Sequence, residues 1–262
     1  DTIAEGTHFI LPADTADLHA MLLLVGRKSL AVNLSDIAAM GASPLAATLN
    51  FQCPRSFDLE TARHLYQGCA KIANQFDVKI IGGDTNSWDG PLVVSATVIG
   101  GRAKKQPGWL LSDALSGDAI LVSGEFGGSI HGRHLTFEPR LQLAQHLVSN
   151  FRVHAATDAS DSLTADLLAI ATASGVQIKL DLAAIPISKD VPQSDPKKRI
   201  TAACQDGEDF ELIFTVDEAT ANKILADTTL PTPVTRIGTV VAGQPQLVDT
   251  QGKSVPAKGY EH

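Results

Sequence analysis

The sequence predicts an α/β or α+β protein of two domains. Helical and strand patterns alternate along the first hundred residues and resume after residue 117, and the segment between them, 101–117, carries most of the local Gly, Lys and Pro. The chain has 262 residues, 44% of them hydrophobic, so it can build one large core or two ordinary ones. We therefore expect one domain over residues 1–106 and a second over 107–262.

Local patterns predict each element of the first half. Asp58 is a plausible N-cap for a helix whose apolar stripe includes Leu65, Cys69 and Ile72. A buried strand is expected to lead straight into a turn at Gly82-Gly83-Asp84, where open α/β sheets place ligand-binding groups. The sequence predicts helices over 16–41 and 59–76, and strands over 45–51, 78–81 and 91–100.

The second half shows the same mixture. Asp161 is a natural N-cap for a well-signalled helix, Asp158 could serve the same helix start, and Gly175 can act as its C-cap. The sequence predicts strands over 119–123, 176–180 and 210–216, and helices near 138–149, 161–174 and 217–226.

Composition narrows the function. The net charge of −8 argues against binding to a nucleic-acid backbone, and no apolar stretch is long enough to span a bilayer. The three cysteines are widely spaced and show no CxxC pairing, which favours a reducing cytoplasm over a disulfide framework or a zinc site. The chain opens on Asp1 rather than Met, already within an expected strand, and we expect an N-terminal piece to be missing.

Four short acidic motifs indicate the chemistry. Each places Asp beside Gly, Ser or Thr, where a turn can present a carboxylate together with backbone N–H groups. Carboxylate oxygens suit Mg²⁺, which usually binds through one or two carboxylates plus substrate phosphates. A single such Asp can equally be a cap or a solvated residue, and this alternative stays open for each of them. The motifs are Asp1-Thr-Ile-Ala-Glu-Gly-Thr-His8, Asn33-Leu-Ser-Asp36, Gly82-Gly-Asp84-Thr85 and Asp158-Ala-Ser-Asp161.

In this order the motifs resemble the thiamine-monophosphate kinase family, within the superfamily of aminoimidazole ribonucleotide synthetase-like proteins. The most specific segment is Gly26-Arg-Lys-Ser-Leu-Ala-Val-Asn-Leu-Ser-Asp-Ile-Ala-Ala-Met-Gly-Ala-Ser-Pro44. Gly207-Glu-Asp-Phe-Glu-Leu212 and the closing Gly259-Tyr-Glu-His262 add to the match. The resemblance implies an N-terminal domain whose sheet forms a barrel across a homodimer, a C-terminal α/β domain, and an active site between the two domains. It also implies Mg²⁺-dependent transfer of the ATP γ-phosphate to thiamine monophosphate.

The resemblance also assigns roles to residues. Mg²⁺ ions around the ATP phosphates would be bound by Asp1, Asp36, Asp84, Asp158 and Asp161. ATP would contact Tyr66, Gly83, Asp84 and Ser160, and the thiamine substrate would contact His8, Glu208 and Tyr260. Tyr66 on a helix face could instead be a core residue, and Tyr260 a terminal aromatic packed on a core edge. No general base is expected, because the acceptor is an ionised phosphate oxygen and the sequence shows no convincing His–carboxylate pair.

Three departures from the family pattern keep other functions open. The family's Gly-Asp-Asp segment upstream of Asp1 is absent, Leu111 stands where an ATP-contacting Arg is expected, and Ser162 replaces a Gly. One alternative is a non-catalytic nucleotide- or thiamine-phosphate-binding homologue. Another is a different ATP-using member of the same superfamily.

Overall fold

The computed structural model describes residues 1–102 and 108–259, and these form two compact units. The N-terminal unit comprises Asp1–Ile37, Ser43–Gly101 and Leu135–Glu138. The C-terminal unit comprises the described residues of Ala38–Ala42, Arg102–His134 and Pro139–His262. The boundary predicted between residues 106 and 107 lies outside the described residues. No helix in the described ranges is both long enough and apolar enough to cross a bilayer.

The N-terminal unit is built on one four-stranded sheet. Its elements are β1 (Thr2–Ala4), α1 (Thr15–Ala39), β2 (Ser43–Pro54), α2 (Leu59–Gln75), β3 (Lys79–Trp88) and β4 (Val93–Gly101). The strand order is β1-β4-β2-β3. Strand β2 pairs parallel with β3 and antiparallel with β4, and β4 pairs antiparallel with β1. Helix α2 is therefore the crossover that two parallel neighbours require.

Helix α2 confirms the predicted cap and most of the predicted stripe. The Asp58 carboxylate accepts a hydrogen bond from the Thr61 N–H at 2.8 Å, and Leu65, Cys69 and Ile72 are buried. Leu59, the first residue of the helix, is 71% exposed.

Glycines allow α1 and α2 to approach closely. A methyl group on Gly26 of α1 would overlap the carbonyl oxygen of Leu65, and one on Gly68 of α2 would overlap the carbonyl oxygen of Leu23. The two helices therefore touch backbone to backbone at these positions, and any larger side chain would push them apart.

The C-terminal unit is built on a six-stranded sheet in the order β10-β7-β9-β5-β8-β6. Strands β10 and β7 pair parallel, and the other neighbours pair antiparallel. Helix α3 (Arg133–Thr136) has its first two residues in this unit and its last two in the N-terminal unit. The other elements are β5 (Ala119–Ser123), α4 (Leu141–Asn150), β6 (Ala156–Asp158), α5 (Leu163–Ser174), β7 (Gln177–Leu180), α6 (Pro196–Gln205), β8 (Leu212–Val216), α7 (Glu218–Ala226), β9 (Val234–Val241) and β10 (Gln246–Asp249).

Helix α5 packs against this sheet through an apolar cluster. Every residue of β5 and β8 is buried, and one apolar cluster joins Ile120 of β5, Leu167 and Ile170 of α5, and Ile178 of β7. Helix α5 ends at Gly175 in a left-handed conformation, as predicted. Strands β6, β9 and β10 and helices α3 and α6 were not predicted from the sequence.

Candidate active-site residues

A row of polar residues crosses one face of the N-terminal sheet. Thr2 of β1 lies opposite Ser95 of β4, Ser95 lies opposite Asn50 of β2, and Asn50 lies opposite Asp84 of β3. Residues directly opposite one another in paired strands share a face. The hydroxyl oxygens of Thr2 and Ser95 are 2.6 Å apart. The sheet register therefore places Asp84 at one end of a polar row that begins beside Asp1.

The sequence predicts a turn at Asp84 after a buried strand, but Asp84 lies within strand β3. Strand β3 continues through Asp84 to Trp88, and of the predicted buried segment 78–81 only Val78, which precedes β3, is buried. Residues 79–81 are exposed or half-buried because β3 is an edge strand, so apolar residues there do not imply a central position. The Asp84 carboxylate is exposed and accepts hydrogen bonds from the Thr85 N–H (2.9 Å) and the Asn86 side chain (2.7 Å).

Gly83 has a structural role at this point of β3. Its φ of +151° is a conformation that L side chains rarely adopt, and a methyl group there would overlap the carbonyl oxygen of Leu49 in β2. Gly83 therefore allows β3 to approach β2 beside Asp84. Its predicted contact with ATP remains a prediction.

Asp1 and Asp36 are both exposed, and Asn33 links their surroundings. The backbone nitrogen of Asp1 donates to Asn33 Oδ1 at 2.8 Å and to the Ala96 carbonyl at 2.9 Å. Asn33 and Asp36 lie one helical turn apart on α1, on the same side of the helix. The first two acidic motifs are therefore neighbours within the N-terminal unit.

His8 lies in a loop that a buried lysine fixes. The Lys28 ammonium, which is fully buried, donates to the His8 carbonyl at 2.9 Å. His8 Nδ1 accepts a hydrogen bond from the Ala4 N–H at 3.1 Å. With Nδ1 as acceptor, the neutral ring carries its proton on Nε2, which can then donate to a phosphate oxygen.

Tyr66 is not a core residue. Its side chain is 47% exposed on α2, so the alternative interpretation of this residue as core packing is wrong. An exposed aromatic ring is available for contact with a nucleotide, and that role stays a prediction.

Two of the C-terminal motifs meet at the start of α5. The Glu208 N–H donates to the Ser160 carbonyl at 2.7 Å, and the Phe210 N–H donates to the Ala159 carbonyl at 2.8 Å. The Ala159 N–H donates in turn to the Glu211 carbonyl at 2.8 Å. The segment 158–161 and the segment 207–212 therefore form one unit of backbone structure, although some fifty residues separate them.

Gly207 allows this contact. A methyl group at Gly207 would overlap the carbonyl oxygen of Asp161. The glycine of the Gly207–Leu212 motif is thus explained by the close passage of one loop over the other.

The N-cap of α5 is Ser162, not Asp161 or Asp158. Ser162 Oγ accepts a hydrogen bond from the Ala165 N–H at 3.0 Å and donates to the Lys258 carbonyl at 2.7 Å. The serine that departs from the family pattern therefore caps the helix and also fixes the segment that leads to Gly259. The next residue, Tyr260, lies outside the described residues. Asp158 ends β6, and Asp161 directly precedes the cap.

Asp166 joins Asp158 and Asp161 in a cluster of carboxylates. Burial, followed by the negative charges of Asp158 and Asp161, raises the pKa of Asp166 to about 8. Asp166 Oδ2 accepts a hydrogen bond from the Ser162 N–H at 3.2 Å. Asp166 was not predicted as a site residue, although an acidic residue in the first turn of α5 is a signal that the sequence shows.

Glu208 has an unusual backbone conformation and a buried partner. Its φ is +59° and that of Phe210 is +52°, both in the left-handed region. His134 Nδ1 is 3.2 Å from Glu208 Oε2, and Ser129 Oγ donates to the Glu208 carbonyl at 2.7 Å. Such conformations persist where the surrounding structure enforces them, and they are frequent at functional sites.

Asp209, the residue after Glu208, is also held by hydrogen bonds to other segments of the C-terminal unit. Its carboxylate accepts hydrogen bonds from the Gly127 N–H (2.9 Å to one oxygen) and from Arg133 (2.9 Å). Burial nevertheless raises the pKa of Asp209 to about 7. Neither Asp209 nor Arg133 was identified from sequence, because their partners are distant along the chain.

The expectation that the chain has no His–carboxylate pair is wrong. The C-terminal unit contains His134–Glu208 (3.2 Å), His146–Asp227 (2.8 Å) and His154–Asp118 (2.9 Å). Only the first involves a residue predicted for the site. Across residues 1–102 and 108–259, no group of three or more His, Cys, Asp or Glu side chains is arranged to hold a metal ion. The metal ligands therefore stay predictions, in two sets that belong to different units.

Known proteins resemble this chain along nearly its whole length. Residues 1–101 match the N-terminal domain model of AIR synthase related proteins, and residues 110–249 match the C-terminal domain model. The thiamine-monophosphate kinase of Rhodopirellula baltica is 44% identical over 220 residues, which are 83% of this chain and 68% of that protein.

Solved structures agree with this match. The crystal structure of thiamine-monophosphate kinase from Stenotrophomonas maltophilia K279a has a TM-score of 0.82 and 32% identity, and it covers 97% of this chain and 84% of that one. AaThiL complexed with AMPPCP and TMP has a TM-score of 0.84, covers 100% of this chain and 85% of that one, and at 24% identity shows the shared fold alone. The predicted two-domain α/β fold is confirmed. The chain belongs to the thiamine-monophosphate kinase family of the AIR synthase related proteins.

Proposed function

We propose that this chain transfers the γ-phosphate of ATP directly onto the phosphate of thiamine monophosphate, giving thiamine diphosphate and ADP. Its family membership supports this reaction, since the relatives carry the name of that kinase. The observation that carries the proposal is the meeting of segments 158–161 and 207–212 at the start of α5. There a helix N-terminus and several carboxylates lie together, as a site for metal-bound phosphate requires.

We propose Mg²⁺ as the cation, because carboxylate oxygens are the protein ligands that it prefers. Burial first, and then the negative charges of Asp158 and Asp161, raise the pKa of Asp166 to about 8, and a divalent cation would relieve the repulsion among these carboxylates. We propose Asp158 and Asp161 in the C-terminal unit, and Asp1, Asp36 and Asp84 in the N-terminal unit, as the ligands. When bound, Mg²⁺ supplies charge neutralisation on the transferring phosphate.

The other predicted residues would bind and orient the two ligands. His8, with its proton on Nε2, donates to the phosphate of thiamine monophosphate, and Glu208 receives the cationic, amine-bearing end of the thiamine. Tyr66, Gly83 and Ser160 contact ATP. Tyr260 is proposed to stack on the thiamine ring, from its position outside the described residues. The acceptor oxygen is already ionised near neutral pH, so positioning and electrostatics carry the reaction without a general base.

We also propose that the N-terminal sheet pairs with that of a second copy. Strand β3 is an edge strand, and it exposes Ile81 (62%) and Trp88 (40%). Exposed apolar edge strands are normally covered in the working protein. Sedimentation should therefore show a dimer, and a monomer at micromolar concentration would contradict it. The three cysteines are free and buried, which fits the proposed cytoplasmic location.

The test is metal-dependent formation of thiamine diphosphate from thiamine monophosphate and ATP. Asp158→Asn and Asp161→Asn should each lower kcat by about 100-fold or more, since each removes a ligand of the cation that neutralises the phosphates. The matched control is Asp113→Asn, at an exposed aspartate in a one-turn helix of the same unit, which should keep full activity. Binding of both substrates by the wild type without turnover would overturn the kinase proposal.

A further inference from the structure

Glu208 is fixed from its backbone outward. Its left-handed φ of +59° is held by two hydrogen bonds, one from its own N–H to the Ser160 carbonyl (2.7 Å) and one from Ser129 Oγ to its carbonyl (2.7 Å). Few side-chain directions are compatible with a backbone held in this way. The backbone therefore limits the positions that the Glu208 carboxylate can occupy. The rotation of the carboxylate group depends on the groups that contact the side chain.

His134 contacts that carboxylate. Its Nδ1 lies 3.2 Å from Glu208 Oε2, and the imidazole is 7% exposed while the carboxylate is 23% exposed. Because an ionised carboxylate can only accept, a hydrogen bond between these two groups requires the proton to be on Nδ1 of His134. The His134 imidazole is therefore buried, while part of the Glu208 side chain is exposed and accessible to a ligand.

His134 is itself held in place by its neighbour in α3. Arg133 donates to Asp190 (3.1 Å), to the Gly127 carbonyl (3.0 Å) and to Asp209 (2.9 Å). These bonds tie the first turn of α3 to the loop before it and to the loop that contains Glu208. The imidazole and the carboxylate are thus carried by backbone segments that are bonded to each other.

We propose that His134 is a positioning residue for substrate recognition. Its Nδ1–H holds Oε2 of Glu208, so the carboxylate is oriented before the cationic, amine-bearing end of thiamine monophosphate arrives. Orienting a binding group in advance lowers the entropy lost on association. The inference rests on the proposed function, because it assigns Glu208 the role described there, and it adds a residue that no sequence motif indicated.

The test compares variants of His134 in the full chain by steady-state kinetics. His134→Ala should raise KM for thiamine monophosphate by about tenfold, the scale seen when a partner that orients a ligand-binding group is removed. KM for ATP should stay within about twofold. His134→Asn should restore most of the affinity, because its amide nitrogen lies close to the position of Nδ1. His131→Ala is the matched control, at an exposed histidine just before α3, and should change neither constant.

Further comparisons separate positioning from folding. If His134→Ala does not fold, His134→Asn and His134→Gln are compared, since Gln has similar polarity but places its amide nitrogen near Nε2. His134→Gln should show the raised KM, and equal KM values for the two variants would overturn the proposal. An equal rise in KM for ATP and for thiamine monophosphate would overturn it as well.

A crystal structure tests the positioning without substrate. In His134→Ala, or in His134→Gln if needed, the Glu208 carboxylate should move by more than about 0.5 Å, the tolerance of a functional site. An unmoved carboxylate would overturn the inference even if the wild type is an active kinase. If the wild-type chain shows no turnover, the proposed function is overturned. The position of the Glu208 carboxylate in the variant crystal structure then still tests whether His134 positions it.

Discussion

The two units present their acidic residues in different ways. In the N-terminal unit Asp1, Asp36 and Asp84 are exposed, and regular structure sets their places: Asp36 lies on α1 and Asp84 within β3. In the C-terminal unit Asp158 is buried, and Asp161 lies on an irregular segment that a second loop crosses. The first arrangement depends on strand register and the second on specific hydrogen bonds. Substitutions should therefore damage the two units through different contacts.

The largest effect is expected where strand register depends on one glycine. Gly83→Ala should lower the free energy of unfolding by more than about 4 kcal/mol, because its methyl group would overlap the Leu49 backbone and its φ is unfavourable for alanine. Gly82→Ala, with open space around its Cβ, is the matched control and should be nearly neutral. Urea unfolding measures both. Equal stability of the two variants would show that the close approach of β3 to β2 does not fix the register.

The next largest loss of stability is expected when an ion pair of the C-terminal unit is broken. Arg140 pairs with Glu211, whose side chain is 2% exposed and also accepts from Ser123 Oγ at 2.5 Å. Arg140→Ala leaves this carboxylate buried without its cation and should cost about 3 kcal/mol. Arg236→Ala breaks a largely exposed pair with Glu218 and should cost less than about 1 kcal/mol. Similar losses in thermal unfolding would contradict the importance of burial.

Asp209 should make the stability depend on pH. Its folded-state pKa of about 7 lies above the ordinary value, so between about pH 4 and pH 7 the folded chain holds a proton that the unfolded chain has released. The contribution of Asp209 to stability should therefore fall as pH rises through this window, by at most about 1.4 kcal/mol per pH unit. Asp209→Asn should reduce the slope of the profile obtained by urea unfolding at several pH values, and the raised pKa of Asp166 should account for a remaining slope of the same sign. An unchanged slope would show that another group is responsible.

The smallest loss of stability is expected when a helix cap is removed, and the caps of the two units can be compared. Ser162→Ala removes the cap of α5 and the bond to Lys258, and should cost about 1 kcal/mol. Asp58→Ala removes an exposed cap of α2 alone and should cost less. Hydrogen exchange should also show faster exchange near Lys258 in the Ser162 variant only. Faster exchange there in both variants would contradict the specific tie between Ser162 and the last described segment.

Local sequence signals predicted the elements that local interactions determine. The cap at Asp58, the strand over 119–123 and the C-cap at Gly175 all depend on neighbouring residues, and all three are confirmed. The burial of 78–81 was wrong because strand order decides whether an apolar strand is central or at an edge. Helix α6 was missed because its sequence, with Pro196 and charged residues first, carries a weak apolar stripe.

For the candidate site, too, the sequence did not identify residues whose partners are distant along the chain. Resemblance to the family pointed to Asp158, Asp161 and Glu208, and the structure joins their segments by backbone hydrogen bonds. His134 and Arg133 lie outside the motifs that carry the resemblance, and their roles depend on partners far along the chain, Glu208 for His134 and Asp209 for Arg133. Residues that orient other residues become visible only when the fold brings them together.

The pairing of β1 with β4 has a consequence for synthesis on the ribosome. Thr2 finds its partner Ser95 only after most of the N-terminal unit has been made. At about 5–20 residues per second, the first strand waits roughly 5–20 s for that partner to be synthesised. Contacts between such distant residues also form slowly. We therefore expect nascent chains shorter than the end of β4 to leave their first strand accessible to chaperones and proteases.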